Sequence, residues 1–244
     1  MTVSRLFHPT TLHENETLQL EEGAAHHIAR VLRAKVGDPV ILFNGEGNEY
    51  AGVIASIDKK SVNVQIKTLI KRCSESPLEL YLAQGISRGE KMDYTIQKAV
   101  ELGIKKIYPL LTERCNVKLD EERREKRLQH WRSIIISACE QSGRNQLPQI
   151  HAPQTLEQFL EKSAADFKFV LAPLAEKKLA QIPIQKNSRV ILMIGPEGGL
   201  SEREIQLAEQ KNFLALNLGP RVLRTETAAV AAITALQCLF GDMS

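Results

Sequence analysis

The rhythm of apolar residues changes once along this chain, at the polar segment Lys71-Arg-Cys-Ser-Glu-Ser-Pro77. Side chains alternate across a strand with period two and recur on a helix with period 3.6, so the change separates two kinds of packing. Upstream, residues 40–44 are apolar, Gly45-Glu-Gly-Asn48 supplies a turn, and residues 49–57 alternate well enough to pair back as a hairpin. Asp58-Lys-Lys60 predicts another turn, and residues 61–70 alternate again. Ahead of these strands, residues 24–33 predict a short helix. Three neighbouring strands in so short a stretch predict a small barrel closed on itself. The break then places a domain boundary, giving units 1–73 and 74–244.

Downstream the order is strand, loop, helix. Residues 78–83 predict a strand, 84–90 a loop, and 91–102 a helix closed by Gly103. Further strands are predicted at 104–111, 167–171, 189–194 and 213–218, with helices at 119–142 and 226–240. Strands alternating with helices predict a parallel sheet covered on both faces. In such sheets ligands bind where loops leave the carboxyl ends of the strands.

Two of those loops are unusual. Ile194-Gly-Pro-Glu-Gly-Gly-Leu200 is followed by Ser201-Glu-Arg-Glu204, a capping box that starts a helix at Glu202. Its glycines allow backbone groups to approach a ligand closely. No Lys-Ser or Lys-Thr follows these glycines, and G-x-G-x-x-G is absent, which disfavours nucleoside triphosphates and dinucleotides. Backbone amides without a phosphate-binding lysine suit a purine base better. A tight connection with no ligand is the plainer alternative. The second loop, Leu218-Gly-Pro-Arg-Val-Leu-Arg-Thr-Glu-Thr227, also joins a strand to a helix, with Thr225 as expected N-cap. Arg221 and Arg224 crowd its tip, either for a ligand or to bond helix ends and carboxylates. The alanines at 228, 229, 231, 232 and 235 suit close packing in a core or a subunit interface.

Two further segments carry polar candidates. Gln84-Gly-Ile-Ser-Arg-Gly-Glu-Lys-Met92 offers Arg88 and Lys91 to phosphate or merely to solvent. Glu140, Gln141 and Arg144 lie within one turn at the end of the long helix, where they serve a site or cap the helix. In the N-terminal unit His27, Arg30 and Arg33 share a helix edge that suits RNA backbone contact, with Ile28, Val31 and Leu32 facing the barrel. The adjacent histidines lack a second pair of ligands, so no metal site is expected.

Composition narrows the setting. Hydrophobic residues make up 43% and charged residues 25%, and the net charge of +3 permits a nucleic-acid partner without requiring one. No apolar run is long enough to span a bilayer, and residues 1–9 lack the apolar stretch of a signal peptide. A cytoplasmic protein with no membrane partner is expected. The four cysteines, spread over positions 73, 115, 139 and 238, read as reduced thiols.

Taken together, Gly195-Pro-Glu-Gly-Gly-Leu-Ser201 and Leu218-Gly-Pro-Arg-Val-Leu-Arg-Thr-Glu-Thr-Ala228 resemble the cofactor signature of the SPOUT methyltransferases. Ser87-Arg-Gly-Glu-Lys-Met92, Ile96-Gln-Lys-Ala-Val-Glu-Leu-Gly103, Glu113-Arg-Cys115 and Cys139-Glu-Gln-Ser-Gly-Arg-Asn145 are similar to the ribosomal RNA small subunit methyltransferase E family. The resemblance runs from Arg5 to Gly241. It implies an α/β chain with an N-terminal PUA-like RNA-binding barrel at 1–73 and a SPOUT domain at 74–244 ending in a C-terminal trefoil knot. It implies a homodimer that transfers a methyl from S-adenosylmethionine to N3 of uridine-1498 in 16S rRNA of the small ribosomal subunit. A SPOUT-fold methyltransferase acting at another RNA site, or a catalytically silent rRNA-binding assembly protein, are the alternatives. The implied cofactor residues are Leu171, Ala172, Pro173, Ile194, Gly195, Pro196, Glu197, Gly198, Leu216, Leu218, Gly219, Leu223, Arg224 and Thr227. RNA would meet Arg5, His27, Arg30, Arg33, Arg88 and Lys91. The N3 proton sets the chemical difficulty, so Arg88, Arg144 or Arg224 would stabilise charge on the flanking carbonyl oxygens, and Glu140 or Glu197 would act as base.

Overall fold

The computed structural model describes residues 3–58, 61–115 and 120–243. Lys59, Lys60 and Leu119, to which the predicted turn and helix extend, lie outside them. The chain divides into two compact units, Met1–Glu75 with Cys139–Leu147, and Ser76–Ala138 with Pro148–Ser244.

The first unit contains β1 (Ser4–Phe7), β2 (Thr17–Gln19), α1 (Glu22–His26), a π-helical turn (His27–Val31), β3 (Pro39–Phe43), β4 (Glu49–Ile57) and β5 (Val62–Ile70). The strands pair in the order β1-β3-β4-β5-β2, with β1 parallel to β3 and the rest antiparallel. Register shifts at Ala51/Gly52 and Ile54/Ser56 bend β4, as bulges do, so one face of the sheet curls around a core. That core holds Leu6, Val40, Leu42, Ile54, Val64 and Ile66, joined by Ala25 and Ile28 from the helical segment. Each such side chain taken out of water contributes roughly 1.5–3 kcal/mol. Ile28 faces the core as expected, but Val31 and Leu32 do not; they are 60% and 46% exposed. The π-turn accounts for this, because one extra residue per turn rotates the later positions off the buried stripe. Strands β1 and β2 have no sequence signal of their own. They are edges of four and three residues, held by pairing to β3 and β5 respectively.

The second unit holds β6 (Glu79–Gly85), α2 (Glu90–Glu101), β7 (Lys106–Leu111), β8 (Gln149–Ile150), β9 (Gln154–Thr155), α4 (Leu156–Lys162), β10 (Phe167–Leu171), β11 (Arg189–Ile194), α5 (Glu202–Gln210), β12 (Leu214–Leu216) and α6 (Thr225–Phe240). The helix α3 (Glu121–Ser142) runs from this unit into the segment counted with the first. The strand order is β12-β10-β11-β6-β7-β8, with β9 also on β7, and every pair is parallel. Central strands of such a sheet are covered on both faces, which explains why β6 and β11 read as nearly unbroken apolar runs. Sequence periodicity misses α4, a helix of only two turns. Its signal is local: Thr155 accepts from Gln158 N at 3.2 Å while Gln158 Oε1 accepts from Thr155 N at 3.1 Å, a full capping box.

Candidate functional site at the carboxyl ends of the strands

Loops leaving β6, β7, β10, β11 and β12 meet at one rim of the parallel sheet. The loop after β11 is the tightest. A Cβ on Gly195 would lie 2.7 Å from the backbone of Gly199 and Leu200, and one on Gly85 would lie 2.5 Å from Pro196 Cδ. Backbone therefore packs on backbone here, and only glycine fits. The predicted capping box is present, with Ser201 Oγ accepting from Glu204 N at 3.2 Å and Glu204 Oε2 accepting from Ser201 N at 2.8 Å. Glu204 is 2% exposed, and its other oxygen accepts from Glu113 N at 2.8 Å, which ties this loop to the one after β7. Beside it, Arg114 Nη1 donates to Gly198 O at 2.9 Å.

The loop after β12 is held by Asn217. Its Nδ2 donates to Pro173 O at 2.7 Å and its Oδ1 accepts from Gly219 N at 2.5 Å. Thr225 is not the N-cap of α6. That position is Arg224, whose side chain makes no capping bond. Thr225 instead points inward, donating its hydroxyl to Gly195 O at 2.6 Å and accepting from Gln84 Nε2 at 2.9 Å. Gln84, fully buried, donates also to Gly85 O and Gly195 O. The start of α6 is thereby fastened to the ends of β6 and β11.

These loops enclose a cavity of about 310 Å³. Twelve of the fourteen residues expected to hold a cofactor line it: Leu171, Ala172 and Pro173 after β10, Ile194 to Gly198 after β11, and Leu216, Leu218, Gly219 and Leu223 around β12. Arg224 and Thr227 do not line it; both are exposed at the first turn of α6, where the inward position belongs to Thr225. Leucine and isoleucine side chains, glycine backbone and Asn217 make up most of the wall, with Arg114 and Arg221 as cations. Such a pocket takes a flat apolar ring with polar edges, and its cations suit a small carboxylate. Among the described residues no group of three or more His, Cys, Asp or Glu is placed to hold a metal.

The polar candidates separate. Glu197 is exposed at the pocket, where its Oε1 accepts from Arg88 N at 3.0 Å and lies 3.5 Å from Lys91 Nζ. Partial burial pushes its carboxyl up, but hydrogen bonds from backbone N–H groups (its own and that of Arg88) and the charge of Lys91 outweigh this and hold it below the usual range. The raised carboxyl on which its expected role as base depends is thus not what this surrounding favours. The Arg88 guanidinium is exposed beside it and has no partner among the described residues.

Glu140 and Arg144 belong to the first unit. Burial pushes the Glu140 carboxyl up, against the hydrogen bond it accepts from Phe7 N at 3.0 Å. Arg144 is buried and committed to Glu75 through Nε at 2.9 Å and Nη2 at 2.5 Å. Neither lines the cavity. Arg5, expected to meet RNA, faces inward as well. It pairs with the 1%-exposed Glu49 at 2.9 Å and lies 5.4 Å from the Phe43 ring, a packing role rather than a phosphate contact. His27, Arg30 and Arg33 are all exposed.

Arg114, Asn217, Gln84 and Glu204 are not among the expected site residues, although Glu204 is half of the predicted capping box and Arg114 and Gln84 lie in segments singled out in the sequence. Arg114, Asn217 and Gln84 act through bonds to residues 44 to 141 positions away.

Comparison with known proteins supplies the family. Residues 74–237 match the RNA methyltransferase domain, and residues 20–67 match the RNA methyltransferase PUA domain. The chain is 39% identical to the ribosomal RNA small subunit methyltransferase E of Buchnera aphidicola, covering 99% of this chain and 98% of that one. It is 31% identical to the Bacillus subtilis protein of the same name over 92% of this chain and 91% of that one. Among solved structures, a proposed methyltransferase of Legionella pneumophila in complex with S-adenosylmethionine superposes with a TM-score of 0.96 at 43% identity, over the full length of both chains. The Neisseria gonorrhoeae ribosomal RNA small subunit methyltransferase E, bound to S-adenosylmethionine, gives 0.93 at 37% identity, again over both full lengths. The fold is thus α/β, a PUA-like N-terminal part with a SPOUT parallel sheet. The chain belongs to the RNA methyltransferase domain family and, within it, to the ribosomal RNA small subunit methyltransferase E family.

Proposed function

We propose that this protein binds S-adenosylmethionine at the carboxyl-end cavity and methylates N3 of uridine-1498 in 16S rRNA. The observation that carries the reading is the backbone-walled pocket between residues 171–173, 194–200 and 216–223, in a chain that matches S-adenosylmethionine-bound structures from end to end. The residues present fit that cofactor. Leu171, Ile194, Leu216 and Leu223 receive an adenine ring, backbone groups of the two loops meet its edges, and Arg114 or Arg221 meets the carboxylate. When bound, the cofactor supplies an electrophilic methyl on a sulfonium and needs no metal.

What this chain contributes is position and charge. Uridine N3 carries a proton at neutral pH, and its anion places charge on the two flanking carbonyl oxygens. Arg88 is the group we assign to those oxygens, because its guanidinium is uncommitted among the described residues while its backbone N–H is fixed by Glu197. Glu197 then orients the Arg88 loop and does not take the proton. His27, Arg30 and Arg33 hold RNA phosphates, and Lys91 adds charge near Arg88. The protein acts in the cytoplasm as a homodimer, with the alanine-rich α6 packed closely and the C-terminal knot formed around its start.

Calorimetry with S-adenosylmethionine tests the pocket; no binding at millimolar concentration sinks the enzyme reading and leaves an rRNA-binding assembly protein. Reverse transcription across treated 16S rRNA tests the base, since an N3 methyl blocks pairing and stops the polymerase. A stop elsewhere moves the target to another RNA site. Arg30→Ala should weaken RNA binding and lower its salt slope by about one, with cofactor affinity unchanged.

A further inference from the structure

A second cavity, of about 500 Å³, opens at the opposite end of the seven-stranded sheet. Its walls follow from strand periodicity. The registers Tyr81↔Lys106, Ala83↔Tyr108 and Ile191↔Tyr81 place Tyr81, Lys106, Tyr108, Arg189 and Ile191 on one face, near the amino ends of β6, β7 and β11. Farther along the same rows Ala83, Leu110 and Met193 are buried core. The rows therefore turn from apolar to aromatic and cationic as they reach the rim. Helix α4 covers the apolar part with Leu156, Phe159 and Leu160 and ends at Lys162, which lines the cavity.

The floor is aromatic. Tyr108 and His151 stack with ring centroids 4.3 Å apart and planes 9° off parallel, and Phe159 lies 5.1 Å from Tyr108. The rim is cationic, and none of the lining residues is acidic. Lys106 Nζ sits 5.0 Å from the Tyr81 ring centroid, and neither it nor Lys162 has a carboxylate partner among the described residues. Glu79 and Asp166 are engaged: Glu79 accepts from the Tyr81 hydroxyl at 2.8 Å, and Asp166 pairs with Arg189 at 3.4 Å. One wall group is unsatisfied. His151 Nε2 is buried with no hydrogen-bond partner among the described residues. Burial, and then the charge of Lys106, hold this imidazole below its usual range. Buried polar atoms in native proteins are nearly always bonded, so this unpaired nitrogen in the cavity wall calls for an explanation.

We propose that this cavity binds a nucleotide, its phosphate held by Lys106 and Lys162 and its base laid against the Tyr108–His151 stack. Stacking on aromatic rings with cations along the phosphates is the general chemistry of single-strand binding, and lysines without competing carboxylates form charge-assisted bonds to phosphate. The same chemistry serves a free nucleotide or one residue of an RNA strand. The proposal stands independently of cofactor binding at the other rim.

The test uses the full chain, titrated with uridine 5′-monophosphate and separately with 5′-phosphorylated hexauridine, by calorimetry and by the NMR signals of the His151 ring. Saturable binding that shifts those signals is expected, with affinity at least about tenfold weaker in Lys106→Ala/Lys162→Ala. Unchanged S-adenosylmethionine affinity in that variant shows that the fold is intact. Should the double variant not fold, Lys162→Glu alone, at an exposed helix end, is expected to weaken both probes. Tighter binding of the hexamer assigns the site to an RNA strand, and tighter or equal binding of the mononucleotide assigns it to a free nucleotide. No saturable binding, equal binding in the variants, or equal displacement by inorganic phosphate overturns the proposal.

Discussion

At the carboxyl-end rim of the parallel sheet the cavity is walled by the backbone of Gly195, Gly198 and Gly219 and by leucines. At the amino-end rim it is walled by the side chains of Tyr81, Lys106, Tyr108, His151 and Arg189. Both rims belong to the same sheet, yet they solve recognition differently. A backbone wall demands glycine at fixed places, so its sequence is constrained residue by residue. A side-chain wall draws on strand alternation, which any globular sheet has, and needs only suitable residue types at the outermost positions. The first kind of site is written into contiguous motifs, and the second is assembled from five separate segments.

The two rims can be broken separately. Gly195→Val should have the largest effect, with no detectable S-adenosylmethionine binding by calorimetry. Its Cβ meets Gly199 and Leu200 backbone at 2.7 Å, so the loop itself must move, and the damage comes from the loop rather than from a side chain projecting into the cavity. Retained affinity would mean that the rim is not built from backbone. Next, Arg88→Ala should lower kcat by about a hundredfold or more in a methyl-transfer assay and leave cofactor affinity intact. A matching loss of cofactor affinity would show that Arg88 supports the pocket instead.

A smaller change is expected from Glu204→Ala, which orphans Ser201 N and Glu113 N. At about 1–3 kcal/mol for each buried unsatisfied group, it should lower Tm by several degrees and weaken cofactor binding about tenfold. An unchanged Tm would deny that this carboxylate ties the two loops together. The smallest effect lies at the amino-end rim. The pKa of His151 is lowered from 6.5 in the folded chain, so the unfolded chain takes up its proton first as pH falls. The stability due to the neutral ring is full above pH 6.5 and is lost as pH falls through the lower folded value. Melting curves between pH 7.5 and 5 should therefore fall more in the parent than in His151→Phe. Parallel curves would show that the ring contributes nothing to the acid limb.

Much of the fold was legible because its signals are local. Residues 49–57 alternate and form β4 over that same span, and Ser201 with Glu204 marks the start of α5. The twelve expected positions that line the carboxyl-end cavity were legible for the same reason, being contained in three short loops. What failed was whatever depends on a partner far along the chain. Thr225 looks like a cap because it precedes a helix, but Gln84 and Gly195, 141 and 30 residues away, turn it inward. Arg5 looks like an RNA contact and Arg144 like a catalytic cation until Glu49 and Glu75 are seen to pair with them. A buried cation needs a carboxylate, and no short-range pattern names which one.

The sequence by itself determined the two packing regimes, the parallel sheet and the glycine loops at its carboxyl ends. These follow from periodicity and from backbone conformations that only certain residues adopt. The tertiary structure alone decided which polar side chains remain available: the Arg88 guanidinium without a partner among the described residues, Glu197 held by Arg88 N and Lys91, Arg5 and Arg144 paired inside. It alone also brought Lys106, Tyr108, His151 and Lys162 to one rim. Charge pairing and aromatic stacking depend on distances in space, and residues 106, 151 and 162 become neighbours only when β7, β8 and α4 close on the same sheet face.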